Sequence, residues 1–343
     1  MAVVDSMNGQ SAAPAQRVGW RFIALYALAY TGTWLALLTP VLVTIALKIR
    51  ELVPAEAAAN HSLVLSVGAM FALVSNPFFG RLSDRTSSRF GMRRPWLVGG
   101  VLCGVLALFV IAQADSVAVV LLGWCAAQLA FNAVLAAIVA ILPDQVPAQQ
   151  RGTVAGVLGV CMPLGQIGGT FLVYAVSTST LKTFMVPTAI GAAAILLLAF
   201  TLDDRRQSRE EVRTATLADL LKSYWVSPRR HPDFAWAWLS RLLVVLGTAF
   251  LTTYQPFYLM DKLGYAPADI TGLIFQATLV QASVIVAMSL IGGTLSDAIQ
   301  RRKVFVLAGG LVYTAGLWII AAADSREVFL LGMVITGVGH GLY

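Results

Sequence analysis

Charge is what this 343-residue sequence has least of: Asp, Glu, Lys and Arg together make up 12%, about half the roughly 25% of an ordinary soluble domain. None of the 17 acidic residues falls near the middle of an apolar run, which excludes paired intramembrane carboxylates. Cysteine is limited to Cys103, Cys125 and Cys161, each inside an apolar stretch and without paired spacing. That pattern excludes a disulfide framework and a thiolate metal site, and reads the three as small core residues. No metal-ligand cluster and no Ser/His/Asp set on facing helices is visible, so neither an enzyme nor a cofactor nor a metal is expected. A cleavable signal peptide is also missing. Residues 1–16 are polar and small, and the first apolar run is too long for a signal-peptide core.

What is abundant is apolar length. Hydrophobic residues make up 58% of the chain, gathered in runs of roughly 20 residues, enough to cross a bilayer. The runs predict helices near 22–47, 61–80, 96–114, 116–142, 152–176, 183–202, 234–259, 269–293, 303–323 and from 326 onward. With the N-terminus in the cytosol and the loops alternating, nineteen of the 24 basic residues fall on the inner side. The positive-inside rule therefore orients the chain in the cytoplasmic membrane with a cytosolic N-terminus. The net charge of +7 then points to anionic lipid headgroups rather than to nucleic acid.

One short signature occurs twice, 213 positions apart: Gly80-Arg81-Leu82-Ser83-Asp84 and Gly293-Thr294-Leu295-Ser296-Asp297. Basic residues follow each copy: Arg85, Arg89, Arg93 and Arg94 in the first, Arg301, Arg302 and Lys303 in the second. Each copy lies behind the second long apolar run of its half, which implies a duplicated bundle. The organisation expected is a cytosolic tail (1–21), a six-helix half (22–202), a charged central loop (203–233) and an incomplete second half (234–343) that stops in the tenth helix. The repeat offset predicts that a complete second half would run about 70 residues further. Within the central loop, Leu217, Leu220, Leu221, Tyr224 and Trp225 follow helical spacing, predicting an amphipathic helix on the inner membrane face.

The Gly-x-x-x-Asp-Arg signature with paired basic residues resembles the loop between helices two and three of the major facilitator superfamily. The longer run from Asp84 to Trp96, with Arg89, Arg93, Arg94 and Pro95, is similar to the glycoside–pentoside–hexuronide and sucrose-type sugar carriers. The resemblance implies an all-α polytopic membrane protein, a bundle of two six-helix halves that rock about a central site. It also implies a cytosolic gate built from Gly80, Asp84, Arg85, Arg93, Arg94, Asp297, Arg301 and Arg302, in which the loop stabilises the outward-open state. The second copy has Ala298 and Gln300 where that family usually has Arg and Gly. Asp144 and Arg151 form a second inner-face pair that can join the gate. The acidic residues that the sugar carriers hold in their early helices are not present here.

Neutral polar residues stand where a central site would lie. Gln128 and Asn132 are one turn apart on the fourth helix, Tyr30 and Trp34 one turn apart on the first, Gln166 follows the Pro163 break in the fifth, and the eighth carries Gln276 and Gln281. Amides both donate and accept, and rings stack on C–H faces, a combination suited to a neutral polyol. The same amides can serve as bonds between helices. His340, beside Gly337, Gly339 and Gly341, offers either a proton site or a neutral donor. The function expected is a secondary transporter of a small neutral solute, a sugar or glycoside, with a proton or sodium ion as candidate co-substrate. Two alternatives stay open. The Gly159…Pro163 segment is loosely similar to the fifth helix of drug-efflux antiporters, and a non-transporting solute sensor would need an output domain not visible in the sequence.

Overall fold

The computed structural model describes residues 17–204, 229, 232–299 and 302–343. Among them every regular element is helical. We number the helices α1 (Trp20–Leu52), α2 (Pro54–Asp84), α3 (Arg94–Ala112), α4 (Val117–Gln145), α5 (Ala148–Ala175), α6 (Thr180–Thr201), α7 (Pro232–Lys262), α8 (Pro267–Ile299), α9 (Arg302–Ala322) and α10 (Arg326–Leu342). Nine are long and apolar enough to cross a membrane, and α10 reaches 17 residues. The bundle turns many large apolar side chains outward: Leu122 is 70% exposed, Leu311 74% and Trp318 73%. In water such a surface would drive aggregation, whereas hydrocarbon tails solvate it. The chain is a multi-pass membrane protein.

A proline stands beside each departure of the long helices from regularity, where it lacks the N–H for the i→i−4 bond and its ring crowds the preceding turn, although Pro77, Pro143 and Pro187 are carried within regular helix. In α1 the departure is a wide π-helical turn over Pro40–Thr44. In α7, Pro256 is followed by the same kind of turn over Tyr258–Lys262. In α5, Pro163 stands just after a break at Val160 that separates Ala148–Gly159 from Cys161–Ala175.

Helices α1, α5 and α6 pack together, α3 bridges α6 and α4, and α2 lies along α4; α8, α9 and α10 form a second cluster around α10. Small residues set these distances. A Cβ on Gly32 of α1 would stand 2.8 Å from the Gly191 carbonyl of α6, and one on Gly191 2.5 Å from the Gly32 carbonyl. The two clusters repeat one another in detail. Gly123 of α4 packs on Ile111 of α3, and 209 residues later Gly332 of α10 packs on Ile320 of α9. The same shift carries Gly104, which faces Phe131, onto Tyr313, which faces His340. The duplication read from one loop signature thus extends through the packing of two helices in each half.

The loop after α2, with Arg85, Arg89 and Arg93, lies at one end of the bundle, here the basic face; the loops around 113–116, 176–179 and 263–266 lie at the other, the far face. Contacts between the two clusters gather toward the far face. The second segment of α5 packs on α8, where Tyr174 stacks on Phe275 at 6.1 Å, and α7 meets the far half of α1 and the start of α2.

Candidate functional site

Arg93 organises the basic face. It precedes α3, is 3% exposed, and spends its planar fork on three partners. Nη2 stands 2.6 Å from Asp84 Oδ1 and 2.8 Å from Asp144 Oδ2, Nε donates to Asp144 Oδ2 at 2.9 Å, and Nη1 donates to Ser83 Oγ. Two carboxylates on two helix ends, α2 and α4, are neutralised by one guanidinium, a geometry that an ammonium could not reproduce. The backbone N–H groups of Arg93 and Arg94 both donate to Asp204 Oδ2 at 2.7 Å. A carboxylate from the end of α6 therefore sits on the positive N-terminus of α3. The Arg94 side chain donates to the Leu202 carbonyl at 2.6 Å. Gly91, at φ +102°, lets the chain turn beneath Asp204, whose carboxylate a Cβ there would strike.

Other expected gate residues take different places. Arg151 caps the end of α4, donating to the carbonyls of Val146 and Pro143 at 3.0 Å each, so it does not pair with Asp144 as the sequence suggested. Arg85 lies exposed at the end of α2. Gly80 faces open space, with nothing within 4 Å of a Cβ built on it. The side chains of Asp297 and Arg302, all of Arg301, and the expected amphipathic helix of the central loop lie outside the described residues.

Half-way along α4 the amides come together. Asn132 Nδ2 donates to the Gln128 carbonyl at 2.8 Å and to Gln128 Oε1 at 3.1 Å. Asn132 Oδ1 accepts from Asn76 Nδ2 of α2 at 3.5 Å. Tyr26 Oη donates to the Ile138 carbonyl at 2.7 Å and is fully buried, which ties α1 to α4 and sets their relative depth. At about 1.5 Å of rise per residue, Tyr30 and Trp34, in edge-to-face contact at 5.9 Å, then stand level with Asn132 and Gln128. Helix α5 reaches the same level of α1, since a Cβ on Gly165 would come within 2.9 Å of Trp34 Cβ; Gln166 is the next residue. Asn76, just before Pro77, was missed by sequence reading although a lone amide inside an apolar run was signal enough.

The remaining candidates lie elsewhere. Gln276 accepts from Arg326 at 2.5 Å, which places it near the far face. Gln281 donates to Thr336 Oγ1 of α10 at 2.9 Å, an interhelical bond between α8 and α10. His340 stands edge-on to Tyr313 of α9 at 6.0 Å, and Tyr313 Oη donates to Thr248 of α7 at 3.1 Å. Its partners in the structure thus belong to the second cluster.

The far-face seam was absent from the sequence reading. Ser62 Oγ of α2 donates to Tyr254 Oη of α7 at 2.8 Å. Arg50 of α1 pairs with Asp261 of α7 at 2.8 Å. His61 is fully buried against Phe257 at 5.2 Å. Sequence reading began α2 at residue 61, where the apolar run starts, and so placed His61 and Ser62 at the very end of the helix rather than within it.

A profile of the Major Facilitator Superfamily matches residues 16–343. The class E tetracycline resistance protein of Escherichia coli is 27% identical over 322 residues, covering 91% of this chain and 72% of that protein. An uncharacterized symporter of Synechocystis is 46% identical over 56 residues, 16% of this chain and 10% of its own. Among solved structures, a D-xylose–proton symporter superposes with a TM-score of 0.63 at 15% identity, covering 94% of this chain and 80% of its own.

Proposed function

The chain belongs to the Major Facilitator Superfamily, and from that premise we propose that this transporter carries a small neutral, hydroxyl-rich solute, a sugar or glycoside, by alternating access. The observation that carries the reading is the Asn76–Asn132–Gln128 set, half-way along α4 and in the second half of α2, level with Tyr30 and Trp34. Amides without a nearby carboxylate suit hydroxyl groups, which donate and accept in equal measure. Aromatic edges and faces suit the C–H surface of a pyranose. Gln166 joins this wall from α5, whereas Gln276 and Gln281 are engaged by Arg326 and Thr336 of the second cluster. The resemblance of the Asp84–Trp96 run to the sugar carriers supports the same class.

In this reading the basic face is cytosolic, in the cytoplasmic membrane, and residues 22–202 and 234–343 are the two rocking units joined by 203–233. Asp84, Arg93 and Asp144 form the first half's share of the cytosolic gate, with Gly80, Arg85, Arg94 and Arg151 around it and Asp297, Arg301 and Arg302 as the second half's share. Inter-cluster contacts near the far face, with Gly80 open at the basic face, correspond to an inward-facing state.

Proteoliposomes holding the full-length protein test the proposal. Uptake of a radiolabelled sugar or glycoside, accelerated by an imposed proton or sodium gradient, is the expected result. The tetracycline resistance relative, aligned over 322 residues, favours a second reading as a drug-efflux antiporter. Absence of sugar uptake together with proton-driven extrusion of a lipophilic dye would establish that reading instead.

A further inference from the structure

His61 occupies a place that neither the amide set nor the basic-face charges explain. Its ring is completely enclosed, and neither Nδ1 nor Nε2 has a hydrogen-bond partner. It fills the seam between α2 and α7, 5.2 Å from the Phe257 ring at an interplanar angle of 58°. A buried polar group without a partner costs about 1–3 kcal/mol, and a leucine or phenylalanine would fill such a seam without that cost.

The surroundings make the charged ring far more costly than the neutral one. The charged groups on the helices packed against it are Lys48, Arg50 and Glu51 on α1 and Asp261 and Lys262 on α7, with Glu56 at the start of α2 and Asp115 ahead of α4. Arg50 is paired with Asp261, Lys48 with Glu51 at 3.5 Å, and Lys262 donates to the Ala321 carbonyl. The uncharged neighbours on the seam, Ser62 and Tyr254, bond to each other. None of these groups hydrogen-bonds to the imidazole. An imidazolium in the closed seam would have neither water nor an anion, a state that proteins avoid.

We propose that His61 is a proton-binding site built into the far-face gate, neutral while the α2–α7 seam is sealed and protonated when the seam opens and water reaches the ring. Proton binding and gate opening are then linked, each favouring the other by the same factor. The inference rests on the transport reading and deepens it by naming the proton as the co-substrate bound at the far face. It assigns no role to the identity of the solute.

The test needs no solute. In a cysteine-free background of the full-length protein in lipid nanodiscs, spin labels replace Ala55 and Ala266, exposed residues in far-face segments of the two clusters. Pulsed electron resonance then gives the distribution of distances between them. From about pH 8 to about pH 5 the open, long-distance population should rise at least about tenfold, the ratio that one pH unit of difference in proton affinity produces. His61→Gln should hold the short distance at both pH values, and His61→Arg should hold the long one. A wild-type distribution that ignores pH, or a His61→Gln variant that still follows it, overturns the proposal. Failure of sugar uptake would leave this readout unchanged, so the two readings fail separately.

Discussion

Arg93 shows how a basic residue can be more than an orientation signal. A topogenic arginine needs only to be on the correct side and can snorkel into water. Arg93 instead is enclosed and divides its donors between Asp84, Asp144 and Ser83. Removing it would leave two carboxylates converging on an empty space. Arg93→Ala should therefore lower stability by about 2–4 kcal/mol, below the full cost of orphaning a buried pair because Asp84 and Asp144 keep some water; thermal unfolding in detergent checks this. Arg93→Lys should recover only part of the loss, since one ammonium cannot serve Nε, Nη1 and Nη2 together. Asp84→Asn is a different experiment. Its side chain is 58% exposed, so its pair adds little to stability, and the expected effect is a shift toward the inward-open state. Unchanged labelling of far-face cysteine probes would count against that role. At the centre, Asn132→Leu should raise the KM for the transported solute at least about tenfold while leaving folding intact, because it removes a donor and an acceptor worth about 1–1.5 kcal/mol each.

At the scale of elements, the start of α3 depends on three segments far apart in sequence. Gly91 makes the turn, Asp204 at the end of α6 accepts two N–H groups of the new helix, and Arg94 returns a bond to the Leu202 carbonyl. Gly91→Ala combines a left-handed backbone, costing about 1–2 kcal/mol, with a collision against Asp204. It should destabilise more than Asp204→Ala, for which loss of the cap and of charge at a helix N-terminus costs about 1–2 kcal/mol. Equal unfolding temperatures for the two variants would contradict the steric argument. The elements themselves were legible in the sequence, because an apolar run of about 20 residues has few alternatives. That Asp84 would stand among arginines was legible too, but not that Arg93, rather than Arg85, Arg89 or Arg94, would be its partner. Asp204 was not, because nothing local ties it to residue 93. Gln281 was misplaced for a related reason: helical spacing fixes depth but not which neighbour a face meets, and its face meets Thr336. His61 was lost to a boundary. Periodicity begins where apolar residues begin, while α2 begins about two turns earlier, at Pro54.

At the scale of the whole molecule, the repeat makes the chain two similar bodies, and the contacts between them lie mostly near one end. In the proposed transport reading such an arrangement is bistable, because the far-face seam would have to part before a solute bound at the level of Asn132 could leave that way. Among the described residues, three polar or ring contacts join α1 and α2 to α7, beside the Tyr174–Phe275 stack of α5 on α8: Ser62 to Tyr254, Arg50 to Asp261, and His61 against Phe257. None is strong alone. An exposed ion pair adds about 0.2–1 kcal/mol and a neutral hydrogen bond about 1 kcal/mol, weak enough for solute and ion binding to reverse. A covalent link should remove that reversibility. With Ser62→Cys and Tyr254→Cys joined by a short bifunctional thiosulfonate reagent, too long a span for a direct disulfide, the far face should stay shut. Transport should fall at least about tenfold, and a reductant that cleaves the linker should restore it. Full transport through the tethered protein would mean that the solute does not pass between α2 and α7, and that the two bodies do not rock about the amide set.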